Sequence, residues 1–200
     1  MRGPGAYGCP VRWTTFLPWL AVTALAAALL LGGCGRGGSS GAVRTTPGSS
    51  TTARVERVVD GDTVVVRIDG RRERVRYIGI DTPESVKPDT PVQCYAEAAS
   101  HENDRLVAGR EVRLVFDREP RDVYGRLLAY VYRASDGLFV NRDLVRRGYA
   151  RTLVRYPNVA HEREFATLRD TAQRHTLGLW GSCRPANVAV DGHAPSPEHP

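Results

Sequence analysis

An α+β domain, a five-stranded β-barrel of the OB type with about three helices packed on it, is the fold that the sequence predicts for residues 53–183. Three observations carry this reading. Three β-rich segments come first, joined by two Asp-Gly corners. An alanine-rich helical segment follows. Two further strands and then two helical segments close the domain. A meander, a helix, two strands and terminal helices is the element order of a small barrel, which removes its sheet edges by closing on itself.

The strands "ARVERVVD", "DTVVVRID" and "RRERVRYIGI" are rich in β-branched residues and bounded by Asp60-Gly61 and Asp69-Gly70. Asp-Gly favours a hairpin because glycine adopts positive φ freely and aspartate tolerates turn geometry. "DTPESVKPDTPVQ" carries three prolines and must be loop. "CYAEAASHENDRLVAG" has helical composition and a stop at Gly109. "EVRLVF" and "LLAYVY" are strands joined by the turn "DREPRDVYGR". "NRDLVRRG" is a short helix closed by Gly148, and "AHEREFATLRDTAQRHTLG" a longer one.

The segments flanking the domain differ in kind. Arg2 and Arg12 precede "FLPWLAVTALAAALLLGGC", an apolar run interrupted by Pro18 and short for a membrane span, as in an export signal. "LGGC", Leu31 to Cys34, resembles the lipobox of bacterial lipoproteins. Residues 1–33 are therefore expected to leave as a signal peptide, with Cys34 lipidated and the protein anchored at a membrane of the cell envelope. An uncleaved anchor and an ordinary signal peptide that releases a secreted protein are the alternatives. Residues 34–52 have the Gly/Ser/Thr composition of a tether. The eighteen from Gly35 to Thr52 span roughly 23 Å as a flexible coil. Residues 184–200, polar and proline-rich, are expected to be a disordered tail.

The chain has 28 basic and 22 acidic residues, a net charge of +6, and all of its basic residues but Lys87 are arginine. A modest positive charge permits a polyanionic partner without requiring one. Four cysteines occur. If Cys9 departs with the signal and Cys34 carries lipid, Cys94 and Cys183 remain, and an oxidising compartment favours a bridge between them over two unpaired thiols. No CxxC pair exists, which excludes a zinc ribbon. "HEREF" has Phe165 where the second histidine of HExxH would stand, which disfavours zinc peptidase chemistry, and no nucleophile elbow is present. His101 and His161 fall in expected helices.

The chemistry concentrates in three loops. "VVDGDTVVV" sets Asp60 and Asp62 in an apolar run, and a turn explains Asp60-Gly61 without requiring a second acid. "RYIGIDTPE" spans Arg76 to Glu84, and "DVYGR" spans Asp122 to Arg126. Pairing within the meander brings the end of the third strand beside the start of the second, so Asp81 comes near Asp62. Two converging carboxylates suit a hard cation, calcium or magnesium, with Thr82 offering a backbone carbonyl beside Asp81. The plain alternative is a strand end that starts a turn.

"VVDGDTVVV", "RYIGIDTPE", "CYAEAA", "DVYGRLLAYVY", "VNRDLVRRGYA" and "LGLW" occur in this order. Together they resemble the thermonuclease, or staphylococcal nuclease-like, family over about residues 55–180. The resemblance implies an OB-fold nuclease that uses Ca²⁺ to hydrolyse phosphodiesters of DNA and RNA. It implies that Asp62 and Asp81 bind the metal directly, that Thr82 gives its carbonyl, and that Asp60 lies in the outer shell. Glu84 matches the proposed general base, Arg76 and Arg126 the two arginines on the scissile phosphate, and Tyr124 a substrate-side tyrosine. Arginine suits that role because it stays protonated and binds phosphate oxygens in pairs.

Some positions depart from the family pattern. An ungapped match of "RTLVRYPNVAHE" puts Leu153 and Arg155 where the best-known member has tyrosines, with Tyr156 adjacent. Arg155 offers a phosphate contact or a stacking plane instead. That member's lysine-rich substrate loop retains only Lys87. Cys94 and Cys183 look like the pair seen in some exported relatives. A monomer with no protein partner is expected. A catalytically inactive, nucleic-acid-binding OB-fold lipoprotein is the principal alternative, and an envelope protein whose basic face meets anionic lipid a third.

Overall fold

The computed structural model describes residues 43, 45–85 and 91–183, all within one compact unit of the chain, Ser40–Pro200. The expected signal peptide, Cys34, Lys87 and the C-terminal tail lie outside the described residues. Five strands close a barrel in the order β1-β2-β3-β6-β5: β1 (Ser50–Val58), β2 (Thr63–Ile68), β3 (Arg71–Tyr77), β5 (Glu111–Val115) and β6 (Leu127–Arg133). A separate two-stranded sheet joins β4 (Ile80–Asp81) to β7 (Arg151–Thr152). The helices are α1 (Ala96–Val107), α2 (Val140–Arg146), α3 (Glu162–Arg174) and the single turn α4 (Leu179–Ser182). The expected barrel and its three principal helices are thus present.

Period-two patterning builds the barrel interior. Val64, Val66 and Ile68 of β2, Val75 and Tyr77 of β3, and Leu127, Ala129 and Val131 of β6 are all buried. Each aliphatic side chain removed from water in this way contributes about 1.5–3 kcal/mol. β1, β2 and β3 form the antiparallel meander, and β3 runs parallel to β6 with Arg76 opposite Leu128. α1 packs on β1 and α2, and α2 packs on β6 and α3.

Four local readings are corrected. Ser50–Thr52, assigned by composition to the tether, form the first third of β1 and pair with Arg113–Val115 of β5, because barrel closure gives these polar residues a backbone partner. "RRERVRYIGI" is not one strand: the chain turns at Gly79, which has φ 79°, and Ile80–Asp81 pair with β7 instead. His161 stands just before α3 and packs edge-on against Tyr130 and Phe139. The two Asp-Gly corners also differ. Asp69-Gly70 is a tight turn with positive φ at both residues, whereas Asp60-Gly61 belongs to a wider loop in which Val59 and Asp60 donate to the carbonyl of Thr63.

Cys94, just ahead of α1, and Cys183, just after α4, form a disulfide with Cα atoms 5.9 Å apart and a sequence separation of 89. Closing a loop of that length restricts the unfolded chain, by an upper estimate of about 4–5 kcal/mol. Replacing both cysteines by serine is expected to lower the unfolding free energy in denaturant by up to this amount while leaving the fold intact. An unchanged denaturation midpoint would show that the bridge contributes nothing.

Candidate active site

The loop between β1 and β2 is shaped by what it must approach. A Cβ on Gly61 would lie 2.7 Å from three side-chain atoms of Thr82, so only glycine lets the two segments meet. That approach lets Asp62 Oδ2 accept hydrogen bonds from the Thr82 amide at 2.7 Å and the Thr82 hydroxyl at 2.9 Å. Asp62 Oδ1 accepts from the Thr63 hydroxyl at 3.1 Å and is ion-paired with Arg76 Nη1. Thr82 thus meets Asp62 through both its N–H and its hydroxyl.

Arg76, at the end of β3 and opposite Thr63, is the meeting point of both acids. Its Nη2 donates to Asp81 Oδ1 at 2.6 Å. Its Nη1 sits against Asp62 without a hydrogen bond of good geometry. Burial works against the guanidinium charge, but Asp62 and Asp81 outweigh it and hold the Arg76 pKa above its ordinary value. Asp60 accepts the Asp62 amide at 3.0 Å. Its pKa is pushed up to about 7, first by burial and then by the charge of Asp62.

A second arginine is fixed from the other side. Asp122 Oδ2 accepts from Arg126 Nε at 2.7 Å, and its Oδ1 accepts the amides of Tyr124 and Arg126 at 3.0 and 2.9 Å. One carboxylate thus caps the turn and aims the guanidinium. Arg121 anchors the same turn to Glu73 of β3 with bonds of 2.9 and 3.0 Å.

These groups border a cleft of about 640 Å³. Arg76, Asp81, Tyr124, Arg126, Arg155 and Tyr156 line it, together with Leu153. Asp60, Asp62, Thr82 and Glu84 do not line it. Tyr124 and Tyr156 are 82% and 77% exposed, which suits aromatic faces waiting for a planar ligand. The geometry thus gathers six of the expected residues on one cleft and puts Asp62 and Thr82 directly behind Asp81.

Sequence reasoning missed the residues that hold these loops in place. Gln93 donates its amide to the Glu84 carbonyl and accepts the Glu84 amide on Oε1, both at 3.0 Å. Asn103 donates to the Asp60 carbonyl at 2.9 Å and accepts from the Tyr77 hydroxyl at 3.0 Å. Asn158 pairs with both backbone groups of Glu119 at 2.8 Å. Only Asp122 had a local signal, an aspartate two residues before the amide it caps in "DVYGR".

A scan against protein-family models finds the staphylococcal nuclease homologue family at residues 74–182. The chain belongs to that family. The staphylococcal nuclease homologue match includes Arg76, Asp81, Glu84 and Arg126, and begins after Asp60 and Asp62. Among curated relatives, a thermonuclease of Staphylococcus intermedius is 45% identical over 137 residues, covering 66% of this chain and 80% of the relative. A thermonuclease of Staphylococcus hyicus is 39% identical over 131 residues, covering 66% and 76%. The endonuclease YncB of Bacillus subtilis (strain 168) is 41% identical over 128 residues, covering 63% and 60%.

The Gly61 contact predicts that Gly61→Ala forces Thr82 away from Asp62. Overpacking of this kind costs about 1–3 kcal/mol. Denaturant unfolding of the variant measures it, and wild-type stability would show that the approach is not constrained.

Proposed function

We propose that this chain is a Ca²⁺-dependent nuclease that hydrolyses phosphodiester bonds of DNA, RNA or both. The observation that carries the reading is the convergence of two guanidinium groups, Arg76 and Arg126, and the carboxylate of Asp81 on one cleft. The family membership and the thermonuclease and endonuclease relatives support it.

The donor set fits a hard cation. Two carboxylates that meet at one guanidinium lie close enough for a single ion to touch both, and carboxylate and carbonyl oxygens are what calcium takes. Among the described residues no group of three or more His, Cys, Asp or Glu side chains is disposed to hold a metal. Asp62 and Asp81 would be the anionic ligands, with the Thr82 backbone carbonyl beside them and Asp60 in the outer shell. A bound Ca²⁺ would neutralise charge on the substrate phosphate and help orient water.

The chain's own groups do the rest. Arg126, aimed by Asp122, grips a non-bridging phosphate oxygen and stabilises the negative charge that grows as water attacks phosphorus. Arg76, which lines the cleft with Arg126, supplies the second guanidinium; a cation held by Asp62 and Asp81 would take over the positive charge that Arg76 gives them. Glu84 accepts the proton of the attacking water, with Gln93 fixing its backbone. Water adds to phosphorus as one P–O ester bond breaks, and the leaving oxygen takes up a proton. Tyr124, Arg155 and Tyr156 receive the sugar and base beyond the phosphate, and Lys87 is a further substrate-binding residue in this proposal.

The domain is exported as a lipoprotein in this proposal, held at the membrane through Cys34. The Cys94–Cys183 bridge supports an oxidising compartment. Among the described residues no helix is long and apolar enough to cross a membrane.

Digestion of plasmid DNA and of RNA, with Ca²⁺ and with chelator, tests the activity. Binding without cleavage would establish the inactive-binder alternative. Arg126→Lys keeps the charge but loses the planar fork. It is expected to lower kcat by about 10²–10³, the range for losing one preorganised donor. A near-wild-type kcat would remove Arg126 from the chemistry.

A further inference from the structure

The outer face of the meander carries arginine in consecutive rows. Arg54, Arg67 and Arg72 lie side by side across β1, β2 and β3, since Arg54 pairs with Arg67 and Arg67 with Arg72. The next row is Arg57, Val65 and Arg74, and the next pairs Thr63 with Arg76. The pleat puts Arg72, Arg74 and Arg76 on one face of β3 at steps of about 6.6–6.8 Å. The column therefore ends at the arginine that lines the cleft. All five of Arg54, Arg57, Arg67, Arg72 and Arg74 are exposed.

Glu56 neutralises part of this face by pairing with Arg67 and Arg72. Among the described residues Arg54, Arg57 and Arg74 take part in no ion pair. On the β5 side Arg54 stands opposite Glu111, and Arg57 and Arg74 flank Val65. Five exposed arginines set against Glu56 and Glu111 leave this face net positive, which suits a polyanion. A lipid surface would want large apolar side chains beside the cations, and the exposed ones lie elsewhere, at Val92, Val123, Tyr124, Val154, Tyr156 and Leu177.

We propose that the outer face of β1, β2 and β3 is a phosphate track that holds the nucleic-acid strand flanking the bond to be cut. Arg74 takes the phosphate next to the one at Arg76, and Arg57 and Arg54 take those that follow across the sheet. The track makes the enzyme favour polymers over short diesters, and it rests on the nuclease reading for its direction toward the cleft.

The test uses the full chain and a full-chain variant carrying Arg54→Gln, Arg57→Gln and Arg74→Gln. Binding of a fluorescent single-stranded oligonucleotide is followed by anisotropy, in chelator, across a salt series. Each phosphate contact contributes about 0.7 to the slope of log affinity against log salt on single strands, so the variant's slope should be shallower by about 2. In parallel, with Ca²⁺, the variant should keep its kcat and KM on a nitrophenyl ester of thymidine phosphate, which reaches only the cleft, and show a raised KM on long DNA. Lysine at the three positions should restore the slope. An unchanged slope overturns the track, as does loss that lysine does not repair. Loss of binding to phosphatidylglycerol vesicles with the oligonucleotide slope intact would overturn it in favour of a lipid-facing surface. A wild-type chain that binds with a steep slope but cuts neither substrate would instead sink the nuclease reading and leave the track standing as a binding surface.

Discussion

Arg76 held between Asp62 and Asp81 is the interaction on which the mouth of the barrel depends. Two carboxylates brought together at the edge of a core repel each other, and a guanidinium whose side chain is 15% exposed has lost most of its hydration. Each is tolerable because of the other. Removing one partner of such a cluster leaves a buried charge uncompensated, which costs far more than the cluster itself contributes. The surrounding architecture serves this arrangement. Gly61 admits Thr82, Thr82 fixes Asp62, the turn at Gly79 swings Asp81 out of line with β3, and β7 holds it there.

The two arginines that line the cleft are held in different ways. Arg76 supplies the positive charge that Asp62 and Asp81 need, so its guanidinium is tied to both acids. Arg126 is held by a single carboxylate, because Asp122 both neutralises and aims it from within its own turn.

Much of the barrel was legible because its determinants are local. The alternation of Val64, Val66 and Ile68, and of Val75 and Tyr77, reports a strand with one buried face, and Asp69-Gly70 reports a tight turn. The approach of Arg76 to Asp62 also follows from the meander, since register places Thr63 opposite Arg76, whereas Asp81 reaches them through the turn at Gly79 and its pairing with β7, which one continuous third strand would not have contained. What escaped was non-local. Gln93, Asn103 and Asn158 each bridge to backbone 9 to 43 residues away, and an amide side chain gives no hint of where its partner lies. Asp60-Gly61 misled for a related reason: the glycine is required by Thr82, twenty-one residues on, and not by the turn it sits in. Ser50–Thr52 look like linker because strand pairing across a closing barrel is invisible to composition.

The most direct measurement is the crystal structure of the chain with Ca²⁺ and an unhydrolysable phosphodiester analogue. The account predicts that the ion lies on Asp62 and Asp81, with the Arg76 guanidinium withdrawn from both carboxylates and bonded to the phosphate alongside Arg126. Arg76 still bridging Asp62 and Asp81, with the ion or the phosphate bound elsewhere, would contradict it.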